Sequence, residues 1–364
     1  MEGLLLLLDW RDRENVPRYA SLSFVSRSMS SSLSPSRSVR RRRWLRRVLM
    51  AVLVLLVCLG GVFYWRPLWV IDEVTRAWLR VAGVRSEYIQ LGPYRIHYLV
   101  GGPPSEGSGP QGSRGKPLVL VHGLGGKAEN WAPLMPAFIR HGYRVYALDL
   151  LGYGRSDRPD VDYSIALQAA VLHQFFERQN LTRADLGGWS MGGWVVLKFA
   201  LAHPARVGRV VVYDSAGIYF KPSFDPALFH PATVEQVQQF LALLTPQASR
   251  IPRFVARDLI REARPTAWVV DRSMKSMQGG ADLLNGQLQS VQAPVLVVWG
   301  KEDVLVPLFC GEEIHREIPL SSLAIFDGCG HLAPAECSNR ILSETLRFLE
   351  AEPPLPPFTR EFPQ

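Results

Sequence analysis

Nothing in this chain has the spacing of a metal site. Its four cysteines (Cys58, Cys310, Cys329, Cys337) form no C-x-x-C pair and no metal-ligand pattern, so no zinc module or dithiol motif is indicated. Three of them follow residue 300, and one disulfide among the three or free buried thiols both fit. Net charge is almost missing from most of the chain. Of the formal +8, residues 1–47 supply +7, with eleven arginines against four acids, and the other 317 residues net +1. The basic balance therefore belongs to one short arm. No basic stripe with interleaved aromatics follows it, so no nucleic-acid partner is expected. Between Ser21 and Ser38 the arm is Ser-rich and poor in apolar residues. Such a segment cannot bury enough surface to offset its ordering entropy, and residues 1–47 read as a disordered basic arm.

Charged residues are also missing from Val48 to Trp65. A helix of that length spans about 27 Å, close to the hydrocarbon thickness of a bilayer. Trp44 before the run, and Tyr64 and Trp65 at its end, suit the two interfaces. With Arg40–Arg43, Arg46 and Arg47 on the near side, the expectation is a single-pass transmembrane anchor over 48–65. The arm would then be cytoplasmic and the rest exoplasmic or periplasmic. A cleaved signal peptide is the alternative, disfavoured by the long arm and by the lack of an A-x-A site. Lipoprotein processing at Cys58 would want small residues before it, whereas Gly60 and Gly61 come after. Initiation at Met29 or Met50 would shorten the arm, and Met50 would remove the orienting arginines. A juxtamembrane helix is expected within 66–87, mainly Asp72 to Val84, with Val74, Trp78 and Val81 on one face. It would lie along the membrane or pack on the domain.

What remains alternates between strand and helix patterns, implying a mostly parallel sheet covered on both faces. Two core segments are expected, 88–217 and 292–351, with a flexible loop at 103–116 and a Pro-rich tail at 352–364. Between the two core segments, 218–291 breaks the alternation with short helices at Thr233–Leu244, Pro252–Ala263 and Ala267–Met277, an insert read as a helical cap. Most of its apolar residues should pack the cap onto the core. Some, with Phe220, Phe240 and Trp268 as candidates, should line a pocket.

Gly188-Trp189-Ser190-Met191-Gly192 fits G-x-S-x-G between a strand end and a helical pattern from Met191 to Ala202. In such an elbow a strained turn exposes the serine hydroxyl at the positive end of a helix. Leu118–Val121 reads as a buried strand running into His122-Gly123-Leu124-Gly125-Gly126. That glycine-rich stretch lacks the Lys-Ser/Thr ending of a phosphate loop. It suits a second backbone donor for an oxyanion instead, and the amides of Leu124 and Met191 are the candidates. The base and acid should follow in the order Ser, Asp, His, each beyond a later strand. Asp303 lies after the apolar strand Pro294–Gly300, and His331 follows Gly328-Cys329-Gly330 beyond Ser322–Phe326. Imidazole can take the Ser190 proton near neutral pH, and a carboxylate holds its tautomer. Asp214, after the strand Val207–Tyr213, and Glu302 compete for the acid role.

These segments, with Asp149-Leu150-Leu151-Gly152-Tyr153-Gly154-Arg155-Ser156-Asp157, appear in the order found in the α/β-hydrolase superfamily, which the chain resembles from Tyr88 to Glu350. Lys127–Trp131 and Asp214–Gly217 are further similar to membrane-anchored monoacylglycerol lipases and bacterial membrane-bound phospholipases A. The resemblance implies an α/β-hydrolase fold with a helical cap and a triad of Ser190, Asp303 and His331. The activity it implies is hydrolysis of lipid or small-molecule esters, with no metal or organic cofactor. It departs at Leu151, where a proline is common. Related folds also cleave carbon–carbon bonds of ring-fission products in more polar pockets, for which Arg253, Arg257 and Arg261 are available. Dehalogenases use an aspartate where Ser190 stands, and non-catalytic hydrolase-like proteins usually lack a triad member. Acyl chain length, headgroup and oligomeric state are not legible.

Overall fold

The computed structural model describes residues 37–104, 115–247 and 250–364. The arm before Arg37 and residues 105–114 of the expected flexible loop lie outside the described residues. Residues up to Val57 and residues Cys58–Gln364 form two compact units. In the first, the described chain is helical: helix α1 runs over Arg37–Trp65. The arm is therefore not disordered along its whole length, since Arg37–Arg47 are part of the helix. Arginine and leucine are good helix formers, and no proline or glycine occurs from Arg37 to Leu59. The stretch Arg40–Trp65 is long and apolar enough to cross a membrane, and none of it is buried.

The second unit begins with the end of α1. Helix α2 (Pro67–Val81) follows, starting at Pro67, a residue suited to a first helical turn. It lies within the expected 66–87 but starts earlier than Asp72 and ends at Val81, ahead of strand β1, which begins at Arg85. Strands β1 (Arg85–Leu91) and β2 (Tyr94–Gly101) form a hairpin. Then come β3 (Lys116–Val121), α3 (Met135–Arg140), β4 (Tyr143–Leu148), α4 (Ile165–Arg178), β5 (Ala184–Trp189), α5 (Met191–Ala202) and β6 (Val207–Tyr213). The cap helices are α6 (Val234–Leu244), α7 (Arg253–Ala263) and α8 (Ala267–Gln278), within a residue of their expected bounds. The chain returns through β7 (Val295–Gly300), α9 (Leu308–Glu317), β8 (Ser321–Phe326), α10 (Ala333–Glu336), α11 (Ser338–Glu350) and β9 (Thr359–Phe362).

The nine strands make one sheet in the order β1-β2-β4-β3-β5-β6-β7-β8-β9. Only β2 runs against its neighbours; β4 through β9 are parallel. Side chains alternate between two apolar layers, as a sheet covered on both faces requires. Val119 and Val121 of β3 join one layer and Leu118 and Leu120 the other. Val295, Val297 and Trp299 of β7 face the first layer, Leu296 and Val298 the second. The expected Pro-rich tail is not wholly irregular. Its last residues, Thr359–Phe362, pair with Leu323–Phe326, and the Phe362 ring stacks on Phe326 at 4.7 Å. No proline falls between Pro357 and Pro363, so the amides of Thr359–Phe362 are free to complete an edge ladder.

Trp299 is fully buried, and its indole N–H donates to Val306 O at 3.2 Å. It packs so closely under α9 that a Cβ on Gly311 would stand 2.5 Å from its ring. Gly311→Ala is therefore expected to cost about 1–3 kcal/mol through overpacking. A thermal midpoint equal to wild type would show that the Trp299 ring shifts without penalty.

Candidate active site

The turn between β5 and α5 has little freedom. Ser190 sits at φ 55°, ψ −119°, a left-handed conformation that costs a non-glycine residue about 1–3 kcal/mol. Four backbone bonds hold it: its N–H donates to Tyr213 O at 2.9 Å, and Gly193, Ala216 and Trp194 donate to its carbonyl at 2.9, 3.1 and 3.3 Å. The flanking glycines allow the approach. A Cβ on Gly188 would lie 2.4 Å from Gly192 O, and one on Gly192 would lie 2.2 Å from Val121 O. This is the strand–serine–helix geometry of a nucleophile elbow. Met191 opens α5, so its N–H has no acceptor in the preceding helical turn.

His331 and Asp303 reach the same region from the ends of β8 and β7. His331 Nδ1 lies 2.8 Å from Asp303 Oδ2, and both residues are buried. Asp303 Oδ1 accepts the backbone N–H groups of Leu305 and Val306, each at 2.9 Å. A carboxylate only accepts, so the bond places the His331 proton on Nδ1 and leaves Nε2 free. The histidine loop is itself clamped. Trp189 Nε1–H donates to His331 O at 2.9 Å, Leu332 N–H donates to Leu244 O of the cap at 3.2 Å, and Gly330 N–H donates to Glu336. Cys329 and Cys337 form a disulfide across this loop. Cys310 stays free, and burial pushes its thiol up to about 12, which leaves it an inert core residue.

Asp214, the competing carboxylate, does not contact His331. Its Oδ1 accepts Gly300 N–H at 2.7 Å, so it holds the end of β7, while its Oδ2 is buried without a partner. Burial, then the nearby Asp303, push its carboxyl well above the usual range. Glu302 is exposed.

Two buried polar clusters behind the loop after β3 were not distinguished from the sequence. Asp149 accepts from Ala128 N–H at 2.6 Å and Arg155 N–H at 2.8 Å and binds His97 Nδ1 at 2.6 Å. Burial would raise its carboxyl, but the His97 bond leads the contacts that outweigh it and hold it below the usual range. His122 spans the loop, with Nδ1 on Gly123 O at 2.7 Å and Nε2 accepting Leu150 N–H at 3.0 Å. Burial pushes this imidazole down, so it stays neutral. Glu129 is bound by Arg76 Nε at 3.0 Å and by Arg155. Burial and Asp149 push its carboxyl up, and these two arginines more than offset that. Arg76 comes from α2, as does Asp72, which pairs with Lys127. The helix after the apolar run thus braces the loop that carries Leu124.

A cavity of about 570 Å³ joins these parts, lined by Ser190, His331, Leu124 and its neighbours. Its apolar wall comes from Phe229, Val237, Phe240, Leu241, Leu244, Leu259 and Val270 of the cap segment, and from Leu68 and Ile71 of α2. Of the three pocket candidates, Phe240 lines it, and Phe220 and Trp268 do not. Phe220 packs against the main apolar layer; Trp268 is partly exposed, with its ring edge-on to Tyr163 at 5.8 Å. Helical periodicity marks an apolar face without saying which neighbour it meets. No group of three or more potential metal-ligating side chains occurs among the described residues.

The profile of the alpha/beta hydrolase family matches residues 118–341. The chain belongs to this family. It is 30% identical over 274 residues to a 2-hydroxy-6-oxo-6-(2'-aminophenyl)hexa-2,4-dienoic acid hydrolase of Metapseudomonas resinovorans, covering 72% of this chain and 90% of that one. A 2-hydroxy-6-oxononadienedioate/2-hydroxy-6-oxononatrienedioate hydrolase of Burkholderia vietnamiensis is 30% identical over 255 residues, 65% of this chain and 88% of the relative. Among solved structures, a membrane phospholipase A described as a bacterial virulence factor superposes with a TM-score of 0.69 at 25% identity. That match covers 84% of this hydrolase and 98% of the phospholipase.

Two measurements test this local physics. Cys337→Ser opens the disulfide across the histidine loop and is expected to cost about 2–3 kcal/mol. A reductant should lower the wild-type thermal midpoint similarly and leave the variant unchanged. Asp214 keeps its proton in the folded hydrolase above the ordinary value of 3.8, at which the unfolded chain releases it. Folding is therefore penalised as pH rises from about 3.8 toward the raised value. The thermal midpoint of Asp214→Asn, relative to wild type, should climb as pH rises above about 4. A pH-independent difference would contradict a protonated Asp214.

Proposed function

We propose that this protein is a membrane-anchored serine hydrolase of carboxylic esters, acting on amphiphilic substrates such as monoacylglycerols or lysophospholipids. The observation that carries the reading is the His331–Asp303 pair opening with Ser190 into a largely apolar cavity. Ser190 Oγ attacks the ester carbonyl while His331 Nε2 takes its proton, and Asp303 orients the imidazole and stabilises its charge. The amides of Leu124 and Met191 receive the oxyanion, with the positive end of α5 behind it. His331 then protonates the leaving alcohol, and water releases the acyl group from Ser190 by the same steps in reverse. Neither a metal nor an organic cofactor enters this scheme. The apolar wall suits an acyl chain. Anchoring is supported by α1 and by the large share of the chain that the membrane phospholipase A matches. By the charge asymmetry around α1 the catalytic unit lies on the exoplasmic side. Protease digestion of that unit in sealed inverted vesicles would contradict this orientation when a cytoplasmic marker is cleaved alongside it.

A second reading, hydrolysis of a carbon–carbon bond in ring-fission products, has the stronger support from the names of the sequence relatives. Lys127, Arg155 and Arg158 line the cavity and offer positive charge. Against it, Lys127 is paired with Asp72 and Arg155 with Glu129. The cap arginines Arg253, Arg257 and Arg261 are exposed on α7 and are absent from the lining.

The test compares esters from acetyl to palmitoyl, a monoacylglycerol, a lysophospholipid and a ring-fission dienoate, using detergent-purified protein. Medium- or long-chain esters are expected to turn over, with Ser190→Ala lowering kcat by at least ~10³-fold. Asp303→Asn should lower it by about 10⁴-fold with little change in KM, since the imidazole loses its preferred tautomer. Cleavage of the dienoate alone would sink the ester reading.

A further inference from the structure

Helix α2 has two unlike faces. One closes the catalytic cavity: Leu68, Ile71, Asp72 and Arg76 line it, and Leu79 is buried in the core. The other carries Val74, Trp78 and Val81, with Ile71 at the border between the two faces, spaced three or four residues apart as one helical stripe. Ile71, Val74, Trp78 and Val81 are 50%, 63%, 50% and 89% exposed. So much apolar surface on a short helix calls for a cover.

Two observations identify the cover. A single residue, Arg66, separates the start of α2 from Trp65, where the apolar helix ends with Phe63, Tyr64 and Trp65 exposed. A membrane crossed by that helix therefore has its surface at α2. The neighbouring cap helix supplies charge at the same level. Phe254 of α7 stacks on Tyr64 at 5.1 Å, and Arg261 donates to Trp65 O at 2.8 Å. Arg253 and Arg257 of α7, and Arg264 just beyond it, are exposed and have no ion-pair partner among the described residues. An apolar stripe flanked by unpaired arginines is what an anionic bilayer surface binds.

We propose that α2 lies in the bilayer surface, its apolar stripe among the lipid chains and the α7 arginines on anionic headgroups, so that a lipid substrate enters the cavity from the membrane past Ile71. Ile71 is half exposed and also lines the cavity, which puts it at the rim. Leu68 of α2 and Leu259 and Ala263 of α7 extend the apolar lining inward. An acyl chain on this route reaches Ser190 without crossing water. The inference rests on the membrane-anchored reading, and its substrate route also rests on the ester reading.

The experiment uses the full chain in vesicles of phosphatidylcholine with one-quarter phosphatidylglycerol. Cys58→Ser removes the exposed free thiol, and Val74→Cys then carries an environment-sensitive fluorophore; the same label at Glu352→Cys is the control. Lipids bearing a nitroxide high on the acyl chain should quench the label at 74 several-fold more than the control. Equal quenching at the two sites overturns the proposal, as does energy transfer between labelled copies without lipid quenching, which would mean that a second copy covers the stripe. Independently, the pair Val74→Asp and Trp78→Asp should slow hydrolysis of vesicle-embedded monoacylglycerol at least about tenfold while leaving a soluble butyrate ester unaffected. Equal loss on both substrates, or on neither, overturns the substrate route. If no ester is cleaved by the wild type, the ester reading and this route fall together, and quenching still decides where α2 lies.

Discussion

Ser190 can present its hydroxyl only because its backbone is held where an isolated serine would not stay. A positive φ in the tight connection from β5 to α5 is maintained by bonds to Tyr213, Gly193 and Ala216, which belong to the next strand, the helix and the following loop. The strain, of order 1–3 kcal/mol, is sustained because all three elements are already fixed in the buried sheet. Gly188 and Gly192 are part of the same constraint, since a side chain at either would collide with backbone. The placement of the site follows from this turn. It puts the first amides of α5 beside the loop after β3 and leaves the ends of β7 and β8 to supply the partners.

Around this point the polar groups are fastened in pairs, each doing one task. Asp303 holds His331, Asp214 holds the end of β7 through Gly300, Asp149 holds the loop at Ala128, and Glu129 ties that loop to Arg76. In a medium that solvates charge poorly, a carboxylate stays charged only with cationic or N–H donors. Glu129 and Asp214 each have one buried oxygen without a partner, yet Arg155 and Arg76 hold Glu129 charged, whereas Asp214, buried and facing Asp303 instead of a cation, is pushed toward its neutral form. The division of labour explains why two aspartates at neighbouring strand ends are not interchangeable. Only the loop after β7 turns its carboxylate onto the imidazole.

The cap and α2 convert a common catalytic frame into a site with its own surroundings. The cap reaches the histidine loop directly through Leu244 O and Leu332 N–H, so the apolar wall and the loop carrying His331 are mechanically joined. Helix α2 reaches the loop after β3 through Asp72–Lys127 and Arg76–Glu129. The short helix that follows the apolar run thus braces the loop after β3 and lines the cavity.

The elements with strong local signals were legible in the residues themselves. The apolar run of α1, the valine-rich strands, the elbow and the cap helices declare their period or their turn chemistry over a few neighbouring positions, and the observed bounds differ from the expected ones mainly at the ends. The helical continuation of α1 through Arg37–Arg47 is hidden by the Ser-rich, apolar-poor composition just before it, and β9 by a run of prolines followed by four residues that carry almost no pattern. Ser190, Asp303 and His331 each follow a strand pattern in the sequence, and the structure brings Asp303 onto His331 and sets both, with Ser190, at the ends of parallel strands. Which aspartate meets the histidine, which cysteines pair, and that Phe240 rather than Phe220 or Trp268 faces the cavity were decided only by tertiary structure. Each depends on distances between segments far apart in sequence. No local periodicity encodes such distances; they are set by how the layers pack.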